Sequence, residues 1–239
     1  MSRNRARTTA FTALAAFLML ASACPANSQT SKSRYPSMAP YEQYLMPDRD
    51  AEIQLARSAA PDSISRDAEV LVLGKHGYET AVRGKNGFVC LVERAWTAPS
   101  SDTGFWNPRS RGPICMNAPA ARSYLPRTIK KAELVSAGIT KEKLAEAIES
   151  ALEKKELPAI EPGSMCYMLS KQGHLNDEAG HWLPHLMFFM PQTDSKAWGA
   201  DLSGSPIFTI QAPEEHLTTF LVPVGRWSDG TPAASGDSH

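Results

Sequence analysis

The chain has 239 residues, of which 25 are Lys or Arg and 25 are Asp or Glu, so its formal net charge is zero. Residues 1–26 hold three arginines and no acidic residue, which leaves 22 basic and 25 acidic residues in the remainder and a formal charge of −3. Nucleic-acid binding needs a basic surface and an anionic membrane attracts polybasic segments, so this composition argues against both, and we predict no nucleic-acid partner.

The first residues form a pattern that is typical of a secretory signal peptide. Arg3, Arg5 and Arg7 make a positive start, residues 10–21 are mainly apolar, and small residues follow. A membrane-spanning helix needs roughly 20 consecutive apolar residues, and this run is shorter. We therefore predict that residues 1–26 are a signal peptide, that the mature chain has no transmembrane segment, and that the protein is periplasmic or extracellular.

Cys24 leaves the fate of the new N-terminus open. Because it follows Ala-Ser-Ala, it resembles the cysteine of a bacterial lipobox, which carries a lipid after cleavage. Ala21 stands where such motifs usually have Leu, Val or Ile, so we favour release of a soluble protein over an envelope lipoprotein anchored at Cys24. Residues 27–47 contain three prolines and no helical or strand period, which predicts an extended arm or tether.

Three strand-like runs follow, at residues 68–73, 78–83 and 88–96. The connectors at residues 74–77 and 84–87 both read Gly-Lys-x-Gly, which is typical of hairpin turns. We therefore predict an N-terminal three-stranded antiparallel meander. Its third strand is apolar on both faces, so we expect it to be central and covered on both sides.

The middle of the chain predicts a loop and then helices. Residues 97–117 are rich in Pro, Gly and Ser and predict a loop. Residues 118–156 have helical character, with Leu144, Ile148 and Leu152 forming one apolar stripe. We interpret this segment as a helical hairpin that covers a sheet.

Further strand candidates complete the predicted fold. They lie at residues 164–170, 185–190, 206–210 and 218–224. Strands, then helices, then strands indicate the α+β class. We predict a single α+β domain over residues 48–228, in which an antiparallel sheet of six or seven strands is covered by the helical hairpin, followed by a disordered tail over residues 229–239.

Beyond Cys24 the chain has three cysteines, Cys90, Cys115 and Cys166. Disulfides persist in oxidising compartments, so an exported chain favours one bridge and one free thiol. Cys90 with Cys115 closes the shortest loop and is the pair that we favour, although spacing does not determine connectivity. The alternative is three buried thiols that act as small apolar side chains.

One segment is rich in groups that bind metals. It contains His174, His181 and His185, which are three of the six histidines, together with Asp177 and Glu178. Imidazole and carboxylate are good transition-metal ligands, so these residues predict a metal site, and Asp177 or Glu178 could act as ligand or base of a metal-dependent hydrolase. Their spacing matches no known ligand pattern, and the alternative is that each histidine has a structural role.

Tryptophans supply the leading functional hypothesis. Trp106, Trp182 and Trp198 each lie in a Gly- or Pro-bearing segment between predicted elements, and loops on a rigid sheet often carry binding residues. Together with Arg109 and the histidines they would line one mouth, which favours non-catalytic binding of a small molecule or a partner. The alternative is that each Trp packs its own loop onto the core. Whether the protein is an enzyme, and which cofactor it would use, is left open by the sequence.

Overall fold

The computed structural model describes residues 34–177 and 180–233. The predicted signal peptide over residues 1–26, the lipidation candidate Cys24, the metal-ligand candidate Glu178 and residues 234–239 of the predicted tail lie outside the described residues. None of the helices in the described part of the chain is long and apolar enough to cross a membrane.

Eight strands form one mixed sheet in the described residues: β1 (Glu69–Gly74), β2 (Gly77–Val82), β3 (Val89–Glu93), β4 (Gly112–Met116), β5 (Met165–Met168), β6 (His185–Pro191), β7 (Phe208–Ala212) and β8 (Leu217–Pro223). Their order across the sheet is β2-β1-β3-β4-β5-β6-β8-β7. Neighbours are antiparallel except β1 and β3, which are parallel. The predicted antiparallel sheet of six or seven strands is therefore wrong in strand number and in direction.

The parallel pair arises at the second Gly-Lys-x-Gly connector. Residues 74–77 join β1 to β2 as a hairpin, as the sequence predicts. Residues 84–87 do not turn back on β2, because they run against the start of β1, where a Cβ on Gly84 would stand 2.2 Å from the Glu69 nitrogen. The chain then enters β3 on the far side of β1. The predicted three-stranded meander is therefore wrong.

β4 lies within residues 97–117, for which the sequence predicts a loop. All five of its residues are buried, and it pairs with β3 on one side and β5 on the other. Gly112 and Pro113 open the strand, and both are residue types that usually mark loops. Because of these two residues, the composition of the segment predicts a loop where the structure has a strand.

Five helices flank the sheet in the described residues: α1 (Arg49–Arg57), α2 (Asp62–Ser65), α3 (Ala118–Ser123), α4 (Leu125–Ser136) and α5 (Lys141–Glu153). The Asp48 carboxylate caps α1 by accepting from the Asp50 N–H at 2.9 Å, as expected of an N-cap residue. α4 and α5 pack together, with Gly138 in the left-handed region (φ 81°) between them. This pair is only part of the helical layer, so the predicted single helical hairpin is wrong as an account of what covers the sheet.

The two faces of the sheet have different helical covers. On one face, Leu91, Ile114 and Met116 pack with Ala120 and Tyr124 from the region of α3 and α4. On the other face, Val70, Cys90, Val92 and Cys115 pack with Leu55, Ala56, Ala59 and Ala60 of α1 and the turn after it. Because strand side chains alternate between faces, β3 and β4 must be apolar on both.

Cys90 and Cys115 face each other across β3 and β4. Their Cα atoms are 4.0 Å apart and their sulfurs are 1.99 Å apart, which is bonding distance. Cys166 is buried with the other face of the sheet and is not bonded to either. The structure thus brings together the pair that the shortest-loop argument favours.

The described part of the predicted arm packs on the body through tyrosines. The Tyr44 side chain is fully buried, and its hydroxyl donates to the Trp106 carbonyl oxygen at 2.9 Å. The Tyr41 hydroxyl donates to the Gly74 carbonyl oxygen at 3.0 Å. At the other end of the chain, Asp229 forms an ion pair with Lys171 at 2.8 Å.

Candidate functional site

A cavity of about 460 Å³ lies on the face of the sheet that carries Leu91 and Ile114. Its walls come from the ends of β3 and β4, from β5, β6, β7 and β8, from the segment around residues 94–102, and from Leu175 and Trp182. Binding cavities for small organic molecules usually have about 300–1,000 Å³. This one is large enough to hold such a molecule.

Strand register gives the cavity an apolar floor. Met187 pairs with Leu221 and Phe189 pairs with Thr219, so these side chains share one face of β6 and β8. Met168 lies on the same face of β5, directly beside His185 of β6. Side chains separated by two residues along a strand point to the same side, so alternate positions of each strand build the floor.

Trp182 forms one wall of the cavity. Only 8% of its surface is exposed, and its indole N–H donates to the Met168 carbonyl oxygen at 3.2 Å. A Cβ on Gly173 would stand 2.4 Å from the indole ring, so a glycine is required there for the ring to occupy this position. The ring of Trp182 lies edge-on to that of His185, with centroids 6.3 Å apart.

His185 contributes a hydrogen-bond acceptor to the cavity. Its Nδ1 lies 2.7 Å from the Leu183 carbonyl oxygen, and because a carbonyl can only accept, Nδ1 carries the proton. Burial lowers the pKa of His185, and its hydrogen bond to the Leu183 carbonyl opposes this only in part. The ring is therefore neutral near pH 7, with its lone pair on Nε2.

Glu93 brings an acidic group into the same apolar cavity. Its side chain lines the cavity at the end of β3, and the residue is 7% exposed. Burial raises its pKa from the ordinary 4.5 to about 7, and the Lys131 ammonium and the hydroxyls of Thr97 and Thr128 offset only part of that effect. Thr97 Oγ1 lies 3.4 Å from Oε2, whereas Oε1 has no hydrogen-bond partner among the described residues.

A buried ion pair fixes the charges next to Glu93. Lys131 of α4 donates to the Glu215 carboxylate and to the Thr97 carbonyl oxygen, the latter at 3.2 Å. Arg127 donates to the Glu215 carbonyl oxygen at 3.1 Å, which ties the 213–215 turn to α4. Since Glu215 already neutralises Lys131, Glu93 is the carboxyl group that lacks a dedicated cation.

Exposed apolar side chains surround the cavity opening. Leu175 and Ile210 line it and are 44% and 40% exposed. Phe208 lies two residues before Ile210 on the edge strand β7, on the same face, and is 54% exposed. The apolar surface of the cavity thus continues onto its rim.

The structure brings together only some of the tryptophan-site residues that the sequence predicts. Trp182 lines the cavity with His185. Trp106 is buried in a separate core with Tyr44, and Trp198 is 56% exposed and packs against Phe220. Phe220 lies on the face of β8 opposite to the cavity, because it alternates with Thr219 and Leu221.

Arg109, Asp177 and His174 lie together, whereas His181 and His185 lie elsewhere. Arg109 forms an ion pair with Asp177, whose pKa is lowered to about 2, chiefly by a hydrogen bond from the Tyr35 hydroxyl and then by Arg109. His174 Nε2 is 3.6 Å from Asp177 Oδ1, whereas the His181 ring packs edge-on to Trp227 at 6.3 Å.

Within residues 34–177 and 180–233, no three His, Cys, Asp or Glu side chains come close enough together to hold a metal ion. Of the four metal-ligand candidates within the described residues, the structure joins His174 to Asp177 and places His181 and His185 elsewhere. The metal site and the metalloenzyme stay predictions, and the described residues offer no support for them.

Sequence reasoning missed Glu93, which is one of the acidic groups that line the cavity. It was present as the last residue of an otherwise apolar strand, Val-Cys-Leu-Val-Glu, that is covered on both faces. A carboxyl group at the end of a buried strand is uncommon, because burial penalises its charged form. This unusual position at the end of an apolar strand is the feature of the sequence that could have identified Glu93.

No protein-family model matches the chain, and no curated protein or solved structure shows significant similarity to it. Function must therefore be inferred from the site itself.

Proposed function

We propose that this is an exported, non-catalytic protein that binds a small and mainly apolar molecule in the cavity beside Trp182 and His185. The observation that carries the proposal is a cavity of about 460 Å³ whose floor is built from methionine, leucine and phenylalanine side chains, with few polar groups. Sites for small molecules usually combine an apolar lining with a small number of placed polar groups. Glu93 and His185 are such groups here.

Two further features support the proposal. The apolar rim formed by Leu175, Phe208 and Ile210 offers a continuous path from solvent into the cavity. The signal-peptide pattern over residues 1–26 supports export to the periplasm or the extracellular space, and the bonding distance between Cys90 and Cys115 fits an oxidising compartment.

Binding of hexanol, octanol and decanol to the purified protein, measured by titration calorimetry, tests the proposal. We expect saturable binding that strengthens with chain length, because each buried CH₂ contributes roughly 0.8 kcal/mol. Leu221→Trp places a larger side chain in the cavity from a half-buried position and should weaken decanol binding about ten-fold, which corresponds to about 1.4 kcal/mol.

Val222→Trp is the matched control, because Val222 is the next residue of β8, is also half-buried and faces the other side of the sheet. It should leave decanol binding unchanged. The proposal fails if no alcohol binds saturably, or if both tryptophan variants weaken binding equally.

A further inference from the structure

We propose that the cavity selects apolar molecules that end in a protonated amine, and that the carboxylate of Glu93, which lines the cavity, binds this amine. This inference rests on the proposed function, since it names the class of ligand that the same cavity accepts. It assigns Glu93 the role of ligand anchor.

The first step is the state of the Glu93 carboxyl group. The residue is more than nine-tenths buried and lines the cavity, yet Oε1 has no hydrogen-bond partner among the described residues. A buried acceptor without a partner destabilises a protein by about 1–3 kcal/mol, and more when it is charged. Oε1 itself is out of reach of solvent, so a ligand donor would bind the carboxyl group on the side that lines the cavity and offset this shortage of donors.

The second step is the sign of the charge. The cations nearest to Glu93 already have carboxylate partners: Lys131 is held by Glu215, and Arg94 is held by Glu52 at 2.8 Å. Glu93 therefore has no ion-pair partner of its own when it is ionised, although the Lys131 ammonium lies close enough to lower its pKa. A buried charge is tolerated when it is paired, so a cationic ligand group is favoured over a neutral or anionic one.

The third step is the supply of donors and acceptors. The Trp182 indole N–H donates to the Met168 carbonyl, and the Thr97 hydroxyl is 2.9 Å from the Arg94 carbonyl oxygen. Neither of these buried donors is left to bind a carboxylate, and the other hydroxyls of the lining, those of Ser101, Ser110 and Thr219, are neutral groups that can either donate or accept. His185 adds a second acceptor, because Nδ1 holds its proton. The cavity is thus better suited to a group that donates hydrogen bonds than to one that accepts them.

The pH dependence of amine binding tests the role of Glu93. The titratable and charged groups around it are Lys131, Arg127, Glu215, Arg94, Tyr78, Tyr124 and Cys166, with His185 and Asp102 elsewhere on the cavity lining. Burial raises the pKa of Tyr78, Tyr124 and Cys166, which keeps them protonated at neutral pH, and lowers that of His185. Amine binding should therefore weaken as the pH falls below about 7, where Glu93 takes up a proton.

Calorimetric titration of the full-length mature protein with decylamine, decanol and decanoate tests the inference. In the wild-type protein at about pH 8, decylamine should bind at least about ten-fold more tightly than decanol, and decanoate should bind least tightly. Glu93→Gln should abolish the preference for decylamine, so that this variant binds decylamine and decanol with about equal affinity. Retained decanol binding also shows that the variant is folded.

Asp102→Asn is the matched charge control. Asp102 is exposed at the rim of the cavity, and its carboxylate accepts from the Gly104 N–H at 2.6 Å, which an Asn oxygen can also do. This variant removes the same charge as Glu93→Gln and should change decylamine affinity less than two-fold, roughly the effect of an exposed charge.

Each other outcome has a distinct meaning. Equal binding of decylamine and decanol by the wild-type protein, or an equal loss in Glu93→Gln and Asp102→Asn, overturns the role of Glu93 while the apolar cavity remains a binding site. Absence of binding for all three molecules overturns the inference together with the proposed function.

Discussion

Glu93 is the residue at which stability and the candidate function conflict. Its side chain ends an apolar strand and lies in an apolar cavity, where burial holds its pKa at about 7 instead of the ordinary 4.5. The ionised form is therefore less stable in the folded protein than in the unfolded chain. Residues that destabilise the fold are expected to persist at sites of function, where the environment is arranged for a ligand.

This conflict predicts a pH-dependent stability that one substitution removes. Because the pKa of Glu93 is raised in the folded protein, its carboxyl group does not lower the free energy of unfolding below about pH 4.5 and lowers it fully above about pH 7. The size of the pKa shift corresponds to a loss of about 3 kcal/mol. Urea unfolding should show that the free energy of unfolding of Glu93→Gln, relative to that of the wild-type protein, is higher at about pH 8 than at about pH 5, by up to this amount. A constant difference between the two proteins at both pH values would contradict the assigned environment.

At the residue scale, sequence identified part of the site. Trp182 and His185, which the sequence places in one candidate site, are neighbours on the cavity lining, and aromatic and imidazole groups in a loop that enters a strand are a local signal. Glu93 was not selected, since its burial depends on α4 and the 213–215 turn, which are distant in sequence. Trp106 and Trp198 also lie in Gly- or Pro-bearing segments but pack elsewhere, so this feature does not show which of the three tryptophans lines the cavity.

At the scale of elements, the two Gly-Lys-x-Gly connectors have the same sequence pattern and different structures. Residues 74–77 close a hairpin, whereas residues 84–87 lie against the start of β1. A Cβ on Gly74 would meet the Glu79 carboxylate at 3.1 Å, and that flexible side chain can move. A Cβ on Gly84 would meet the main chain of Glu69 at 2.2 Å, which cannot move without disrupting the pairing of β1.

The two connectors therefore predict opposite outcomes for the same substitution. Gly74→Ala should change the free energy of unfolding by less than about 1 kcal/mol, as is usual where a neighbour can adjust. Gly84→Ala should lower it by about 3 kcal/mol or more, because the backbone contact that allows the parallel pairing of β1 and β3 is lost. Thermal and urea unfolding of both variants measure this, and equal effects would show that residues 84–87 form an ordinary hairpin.

Strand existence was easier to predict from the sequence than strand pairing. The runs that became β1, β2 and β3 were found from their apolar patterns, and β5, β6, β7 and β8 overlap the four later candidates. β4 was missed because Gly112 and Pro113 open it. The direction of β3 was also missed, because a Gly-rich connector of four residues fits a hairpin and a crossing equally well until the approach of Gly84 to β1 is known.

At the scale of the whole molecule, β3 and β4 hold the two halves of the sheet together. β2 and β1 lie on one side of this pair and β5, β6, β8 and β7 on the other. Helices cover both faces here, α1 on one and the α3–α4 region on the other. The sequence predicted the double cover of β3 from its continuous apolar run, but it could not predict which elements provide the cover, since that depends on the order of strands across the sheet.

The Cys90–Cys115 bond crosses this central pair and closes a segment of 25 residues that contains the 94–102 wall of the cavity. Restricting the unfolded chain in this way stabilises the folded state by about 3 kcal/mol for a loop of that length. The double variant Cys90→Ala, Cys115→Ala should lose about this amount, and Ala is the suitable replacement because both sites are fully buried in an apolar core and a serine hydroxyl would lack a partner.

Reductant separates the effect of the bond from that of the side chains. Dithiothreitol should lower the unfolding temperature of the wild-type protein towards that of the double variant, and it should leave the double variant unchanged. Cys166 lies on the opposite face of the sheet, so Cys166→Ala should keep the wild-type response to reductant even though it leaves a small cavity of its own. A wild-type protein whose unfolding is insensitive to reductant would mean that the bond contributes nothing, and that packing of α1 and the α3–α4 region on β3 and β4 is sufficient to hold the central pair together.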